Sequence, residues 1–327
     1  VRASQIGRPH FFEIFTLLNF AVLLFALRDF TWRTITTLPT LVPYLAAAFV
    51  AEALIGIAIR LAFAARRGAA RELLASYRSS GWMVDTLRMA IINGLAAHTY
   101  GWIKLMMPVF HPRLFDQQLW KIDQVICFGY SPNVFLLTLF STPVMLRAID
   151  WSYAFIFFAS INVVTIFFAS VPERRTRIVF MNSYILLWLI GAWLYVAVPT
   201  LGPAYRFPGV WLPMAPLLTR TQYLQHQLIS NYNALLILLH GGREPADINI
   251  LFGVAAFPSL HVGFQVLAFL WMRRLTKWGG TVFGLCALFI FIGSIVTGWH
   301  YLIDGIAGAA LAWACYAAAR RVPAIRA

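Results

Sequence analysis

The sequence predicts an all-α integral membrane protein, a polytopic helical bundle of about eight transmembrane helices with a cap segment on its outer face. Three observations carry this. Of 327 residues, 61% are hydrophobic and only 12% are charged. A soluble domain is about a quarter charged, and charge this scarce cannot coat a water-facing surface of that size. Eight apolar runs approach the roughly 17–25 residues that a helix needs to cross the hydrocarbon core. Basic residues collect in short gaps between those runs, as they do in cytoplasmic membrane loops.

The runs are 12–28, 40–63, 84–107, 150–171, 178–198, 258–272, 279–297 and 301–319. The first follows about ten mixed residues without a small-residue cleavage site, so it reads as a retained span and not as a signal peptide. The third holds Lys104 near its end, where the side chain can snorkel. The sixth is short for a span. Residues 1–149 read as N-terminal helices with an outer loop, and residues 150–327 as a core that carries the chemistry.

Charge orients the set. With a cytoplasmic N-terminus, one side receives Arg2 and Arg8, the loop from Arg66 to Arg78, and the loop of Arg174, Arg175 and Arg177. It also receives Arg273, Arg274 and Lys277, and the tail with Arg320, Arg321 and Arg326. Counting Arg60 and Arg88 at span ends, this side holds 17 of the 26 positive residues. The positive-inside rule then places both termini in the cytoplasm, with a bacterial plasma membrane as the expected location. The formal charge of +14 therefore records orientation. Nucleic-acid binding is not indicated, because no basic run is interleaved with exposed aromatics. Cys127, Cys286 and Cys315 are an odd number without close spacing, so neither a disulfide framework nor a zinc motif is expected.

Two long segments face outward on this topology. Residues 108–149 contain an amphipathic stretch around 133–146. Residues 199–257 contain Pro199, Pro203, Pro208, Pro213 and Pro216, and then Leu224, Leu228, Tyr232, Leu235 and Leu239 near helical spacing, which predicts a helix at the membrane interface. Backbone groups of so long a loop would be unsatisfied in lipid, so the segment is expected to cap the outer mouth of the bundle.

Two clusters carry the chemistry, and both open apolar runs at the same predicted face. Phe257-Pro258-Ser259-Leu260-His261 begins the sixth run, and Thr297-Gly298-Trp299-His300-Tyr301-Leu302-Ile303-Asp304-Gly305 begins the eighth. His300 and Asp304 are four apart and share a helical face. A carboxylate there can fix the imidazole tautomer and leave the other ring nitrogen free to attack. Gly298 lets a substrate approach closely, while Gly305 and Gly308 permit close helix packing. Pro258 suits a first helical turn. Ser259 with the free N–H groups there forms an anion site, and Ser259 also suits a helix cap. His261 lies where it can protonate a departing oxygen. Two His and an Asp can also ligate zinc, but no HExxH run or second carboxylate pair accompanies them.

At these residues the chain resembles the type 2 phosphatidic acid phosphatase superfamily, which carries a Pro-Ser-x-His block and a later block in which His precedes Asp by four. The resemblance covers roughly residues 178–319. It implies that His300 attacks phosphorus to form a phospho-histidine, that Asp304 orients it, and that His261 protonates the leaving group, with no metal or other cofactor. Two departures stand out. The family's Ser-Arg, seven and six residues before the nucleophilic His, is replaced by Gly293 and Ser294. The family's Lys, six residues, Arg-Pro is matched only by Lys104 and His111-Pro112. Other outer cations must then neutralise phosphate, and Arg206 and Arg243 are candidates beside Lys104. With the Val198-Pro199-Thr200 turn, the pattern is most similar to the branch that includes inositol phosphorylceramide synthases, where the phospho-group can pass to a hydroxyl.

The implied partner is a lipid phosphate or phospholipid in the membrane, with water or a lipid or polyol hydroxyl as acceptor. The alternative is a lipid transporter or flippase on a similar scaffold. Inverted repeats and mid-membrane charges would mark that alternative, and no repeat is seen.

Overall fold

The computed structural model describes residues 8–30, 35–240 and 248–321. Arg2, Arg243 and Arg326 lie outside the described residues. The described residues form fifteen α-helices and no strand, an all-α polytopic membrane bundle. They cluster into two compact units. One takes the described residues of Val1–Thr99, Ser160–Leu189 and Cys315–Ala327; the other is Tyr100–Ala159 with Ile190–Ala314.

The first unit contains α1 (Phe11–Ala26), α2 (Leu38–Ala65), α3 (Ala70–Tyr77) and most of α4 (Ser80–Leu105). Its polar groups are paired near one set of helix ends. Asp85 is 1% exposed and accepts from Arg174 Nε at 2.5 Å. Glu13 pairs with Arg88, and the Glu13 carboxylate also accepts from the His10 backbone N–H, closing a capping box on α1. Charges beside apolar spans are thus held in pairs, as burial demands.

The second unit begins with α5 (Met107–Phe110), α6 (Asp116–Ile126) and α7 (Pro132–Leu139). The amphipathic stretch expected over 133–146 is two elements and not one. Ser131 caps α7 through Val134 N and Pro132 opens it; the helix then stops, and α8 (Pro143–Ala169) starts seven residues before the run predicted at 150. Proline disfavours helical geometry in the residue before it, so Pro143 separates the two elements while suiting the first turn of α8. α9 (Arg174–Ala197) follows, then the short helices α10 (Pro203–Arg206) and α11 (Pro208–Trp211). α12 (Thr219–Leu239) is the helix predicted from the leucine spacing. Asp150 caps it by accepting from Arg220 N at 3.0 Å and Thr221 N at 2.8 Å.

The chain ends in α13 (Leu260–Leu275), α14 (Lys277–Val296) and α15 (Leu302–Arg321). All eight predicted runs are helical. Five helices, α2, α8, α9, α14 and α15, are long and apolar enough to cross a membrane by length and composition. α1 and α13 have only 16 residues, and α4 carries Asp85, Arg88 and Lys104. Close packing at the start of α15 needs glycine. A Cβ on Gly308 would come within 2.1 Å of the Ser259 carbonyl oxygen, so any side chain there would separate α15 from the start of α13.

Candidate active site

The two sequence clusters meet at the starts of α13 and α15. Ser259 N–H donates to the Asp304 carbonyl at 2.9 Å, which pins the first helix entrance to the second. Ser259 is the N-cap of α13, its hydroxyl accepting from Val262 N at 3.3 Å. This corrects the placement of Pro258, which precedes the cap and is not in the first turn. The Ser259 oxygen occupied by its own helix is a capping group, as its residue type permits.

His261 projects from the first turn of α13, and His300 lies in the loop between α14 and α15. His261 Nδ1 is 3.1 Å from His300 Nε2. The other His300 nitrogen, Nδ1, is 3.4 Å from Asp304 Oδ2. The three side chains form one line, Asp304 to His300 to His261. His300 is 3% exposed and Asp304 is fully buried. Burial, and then the Lys104 ammonium, pushes the His300 imidazole down to about 3, so the ring is neutral and keeps a lone pair. The rings of Phe157 and Tyr153 lie 4.4 Å and 5.7 Å from that of His261.

What holds the His300 loop is mostly invisible in the two motifs. Asp304 Oδ2 accepts from Tyr301 N at 2.9 Å. Asp123 on α6 accepts from Leu302 N at 2.6 Å and Ile303 N at 2.9 Å, which caps α15 from outside. Asp116, two turns earlier on α6, accepts from Gly202 N and the Tyr301 hydroxyl, both at 2.9 Å. Asn133 on α7 donates to the Ile295 and His300 carbonyls, each at 3.0 Å. Burial pushes the Asp116 carboxyl upward and the Asp123 carboxyl up to about 6, against the pull of the backbone N–H groups each accepts. The seven-residue spacing of Asp116 and Asp123 is the one sequence signal for them, since it places both on one helical face.

Gly298 has a φ of +75° in this loop. A Cβ there would meet the Trp211 ring at 2.6 Å and the Ala204 Cβ at 2.8 Å. The glycine lets the loop turn against α10 and α11, and its open side faces those side chains. Trp211 Nε1 donates to the Val296 carbonyl at 2.9 Å behind the same turn.

A cavity of about 190 Å³ opens beside His261. Its polar lining includes Lys104, Arg220, Asp150 and Tyr153, and its apolar wall includes Phe157, Phe158, Leu224 and Leu228. Lys104 Nζ sits 5.7 Å from the ring centre of Tyr195, and the residue lines the same cavity as His261. Arg220, which the motifs do not reveal, stacks its guanidinium over Trp151. Arg206 is not brought to this cavity. It is exposed at the end of α10, 6.0 Å from the Phe207 ring centre. Among the described residues no further group of three or more His, Cys, Asp or Glu side chains is arranged to hold a metal ion.

No curated protein and no solved structure matches the chain at a significant level. Comparison with protein families matches residues 117–318, more than half of the chain, to the PAP2 superfamily. The match spans α6 to α15 with both His blocks, and Lys104 falls before it. The chain belongs to the PAP2 superfamily.

Proposed function

We propose that this protein is a phosphoesterase or phosphotransferase acting on a lipid phosphate through a phospho-His300 intermediate. The observation that carries it is the line of Asp304, His300 and His261, with the attacking and protonating nitrogens 3.1 Å apart. Superfamily membership supports a phosphatase-type lipid phosphoesterase. In the first step His300 Nε2 attacks phosphorus, the bond from phosphorus to the leaving oxygen breaks, and His261 Nδ1–H gives its proton to that oxygen. In the second, water or a hydroxyl attacks the phosphorus, the P–N bond breaks, and His261 takes the incoming proton. Asp304 holds the Nδ1 proton of His300 through both. The inositol phosphorylceramide synthase-like pattern around the His blocks is compatible with water or a hydroxyl as acceptor, because the first half-reaction is the same for both.

The site's placement supports the proposed sidedness. α13 and α15 both begin at the site and both end in an arginine pair, Arg273 with Arg274 and Arg320 with Arg321. Those basic ends suit the cytoplasmic side. Phe157, Phe158, Leu224 and Leu228 offer the first carbons of a lipid an apolar wall.

The test is a screen of short-chain lipid phosphates and phospholipids in detergent, with and without inositol, glycerol and ceramide-like acceptors, read by mass spectrometry. Phosphate release or headgroup exchange is the expected result. A flippase would give neither, and that outcome would reject the enzymatic reading.

Three substitutions test the assignments. His261→Ala is expected to slow turnover by about 10²–10⁴-fold, the scale of general acid–base catalysis. An aryl phosphate whose leaving group has a low pKa should recover much of that loss, because it departs without a proton. Equal loss with both substrates would reject the general-acid role. Lys104→Ala is expected to lower kcat/KM by about 10–100-fold, the worth of one hydrogen bond to a charged group. Arg206→Ala should stay within about twofold of wild type, as its solvent exposure implies. The reverse ranking in steady-state kinetics would move the phosphate away from this cavity.

A further inference from the structure

The PAP2-type Ser-Arg pair is Gly293-Ser294 in this chain, and the structure shows what fills the space. A Cβ on Gly293 would lie 3.0 Å from Cδ2 of Tyr153. The ring of Tyr153, from α8, therefore occupies the room that a side chain at position 293 would take. Tyr153 is 4% exposed, and its hydroxyl makes no hydrogen bond among the described residues. A buried hydroxyl without a partner is costly. Tyr153 also lines the cavity shared by Lys104 and His261. The cavity therefore has a neutral donor whose one unmet requirement is an acceptor.

Ser294 does not supply that donor. Its hydroxyl gives its hydrogen to the Phe291 carbonyl at 2.8 Å, and its own carbonyl accepts from Trp299 N and His300 N. Position 294 is committed to shaping the His300 loop.

We propose that Tyr153 binds the substrate phosphate, its hydroxyl donating to a non-bridging oxygen. The proposal rests on the phospho-His300 reading and adds a residue that the motifs do not contain. A phenol aligned with that oxygen stabilises charge as it builds on the phosphoryl group, and it costs no reorganisation when already in place. The glycine and the tyrosine belong to one arrangement, since a larger residue at 293 displaces the ring.

The experiment is a double-mutant cycle of Tyr153→Phe and Gly293→Ala in the full chain, assayed with the lipid phosphate that gives turnover and with orthovanadate as inhibitor. Tyr153→Phe keeps the ring packing and removes an unpartnered buried hydroxyl, so it should not lower the melting temperature. It should lower kcat/KM by about 10–100-fold and weaken vanadate inhibition in the same proportion. Gly293→Ala should reduce kcat/KM in the wild-type background and add no further loss to Tyr153→Phe, because both act through the same hydroxyl. Wild-type kcat/KM in Tyr153→Phe, with His300→Ala inactive, would overturn the Tyr153 assignment and leave the phospho-histidine reading standing. Independent, additive losses would overturn it too. Full turnover in His300→Ala would instead remove the reading beneath it.

Discussion

His300→Ala should lower kcat on the order of 10⁴–10⁶-fold, the scale seen when a catalytic nucleophile is removed. The side chain is 3% exposed, with Nε2 3.1 Å from His261 Nδ1 and Nδ1 3.4 Å from Asp304 Oδ2. No residue lining the neighbouring cavity replaces it, because His261 Nδ1 faces His300, Lys104 and Arg220 are cations, and Asp150 is committed to capping α12. Quenching wild type during turnover with a labelled lipid phosphate should leave acid-labile label on this histidine, and the substitution should abolish the label. Full turnover in the variant would reject the mechanism. The trapped species also separates the two outcomes of the second step. Its decay in water alone indicates hydrolysis, and its acceleration by an added hydroxyl compound indicates transfer.

The helices were legible because lipid demands long apolar runs, and all eight runs fold as helices. The two His blocks were legible because their spacing is local: His300 and Asp304 are four apart, and His261 follows a Pro-Ser cap. Their meeting depends on non-local contacts, of which Ser259 N to the Asp304 carbonyl is one. The roles of Asp116, Asp123 and Asn133 were not legible beyond the spacing of the two carboxylates, since most of their partners are backbone groups, up to 180 residues away. A backbone N–H leaves no mark in residue type. Gly293 was visible only as a departure from a pattern, and its meaning required Tyr153, 140 positions earlier in the chain, to be placed beside it. The break was marked in the sequence by Ser141-Thr142-Pro143, and it was missed because periodicity alone joins the apolar residues on either side of so short a turn.

Asp304→Asn is the second large effect, a fall in kcat of about 10⁴-fold on the precedent of a carboxylate that orients a catalytic imidazole. The expected loss comes from the tautomer and not from collapse. Asp304 Oδ2 accepts from Tyr301 N at 2.9 Å and lies 3.4 Å from His300 Nδ1. Both donors face the one oxygen Oδ2, so an asparagine either keeps its oxygen there as a neutral and weaker acceptor for the Nδ1 proton, or turns its NH₂ there, loses the Tyr301 bond and drives the imidazole proton onto Nε2, the attacking atom. Asp123 already takes the N–H groups of Leu302 and Ile303, so α15 stays capped when residue 304 changes. Asp304 does not line the cavity beside His261, and KM should therefore move little while kcat falls. Combining Asp304→Asn with His300→Ala should cost no more than His300→Ala alone, since residues acting as a unit are not additive. A kcat within tenfold of wild type in Asp304→Asn would mean that the tautomer is fixed by another group, and the line from Asp304 to His261 would lose its first member.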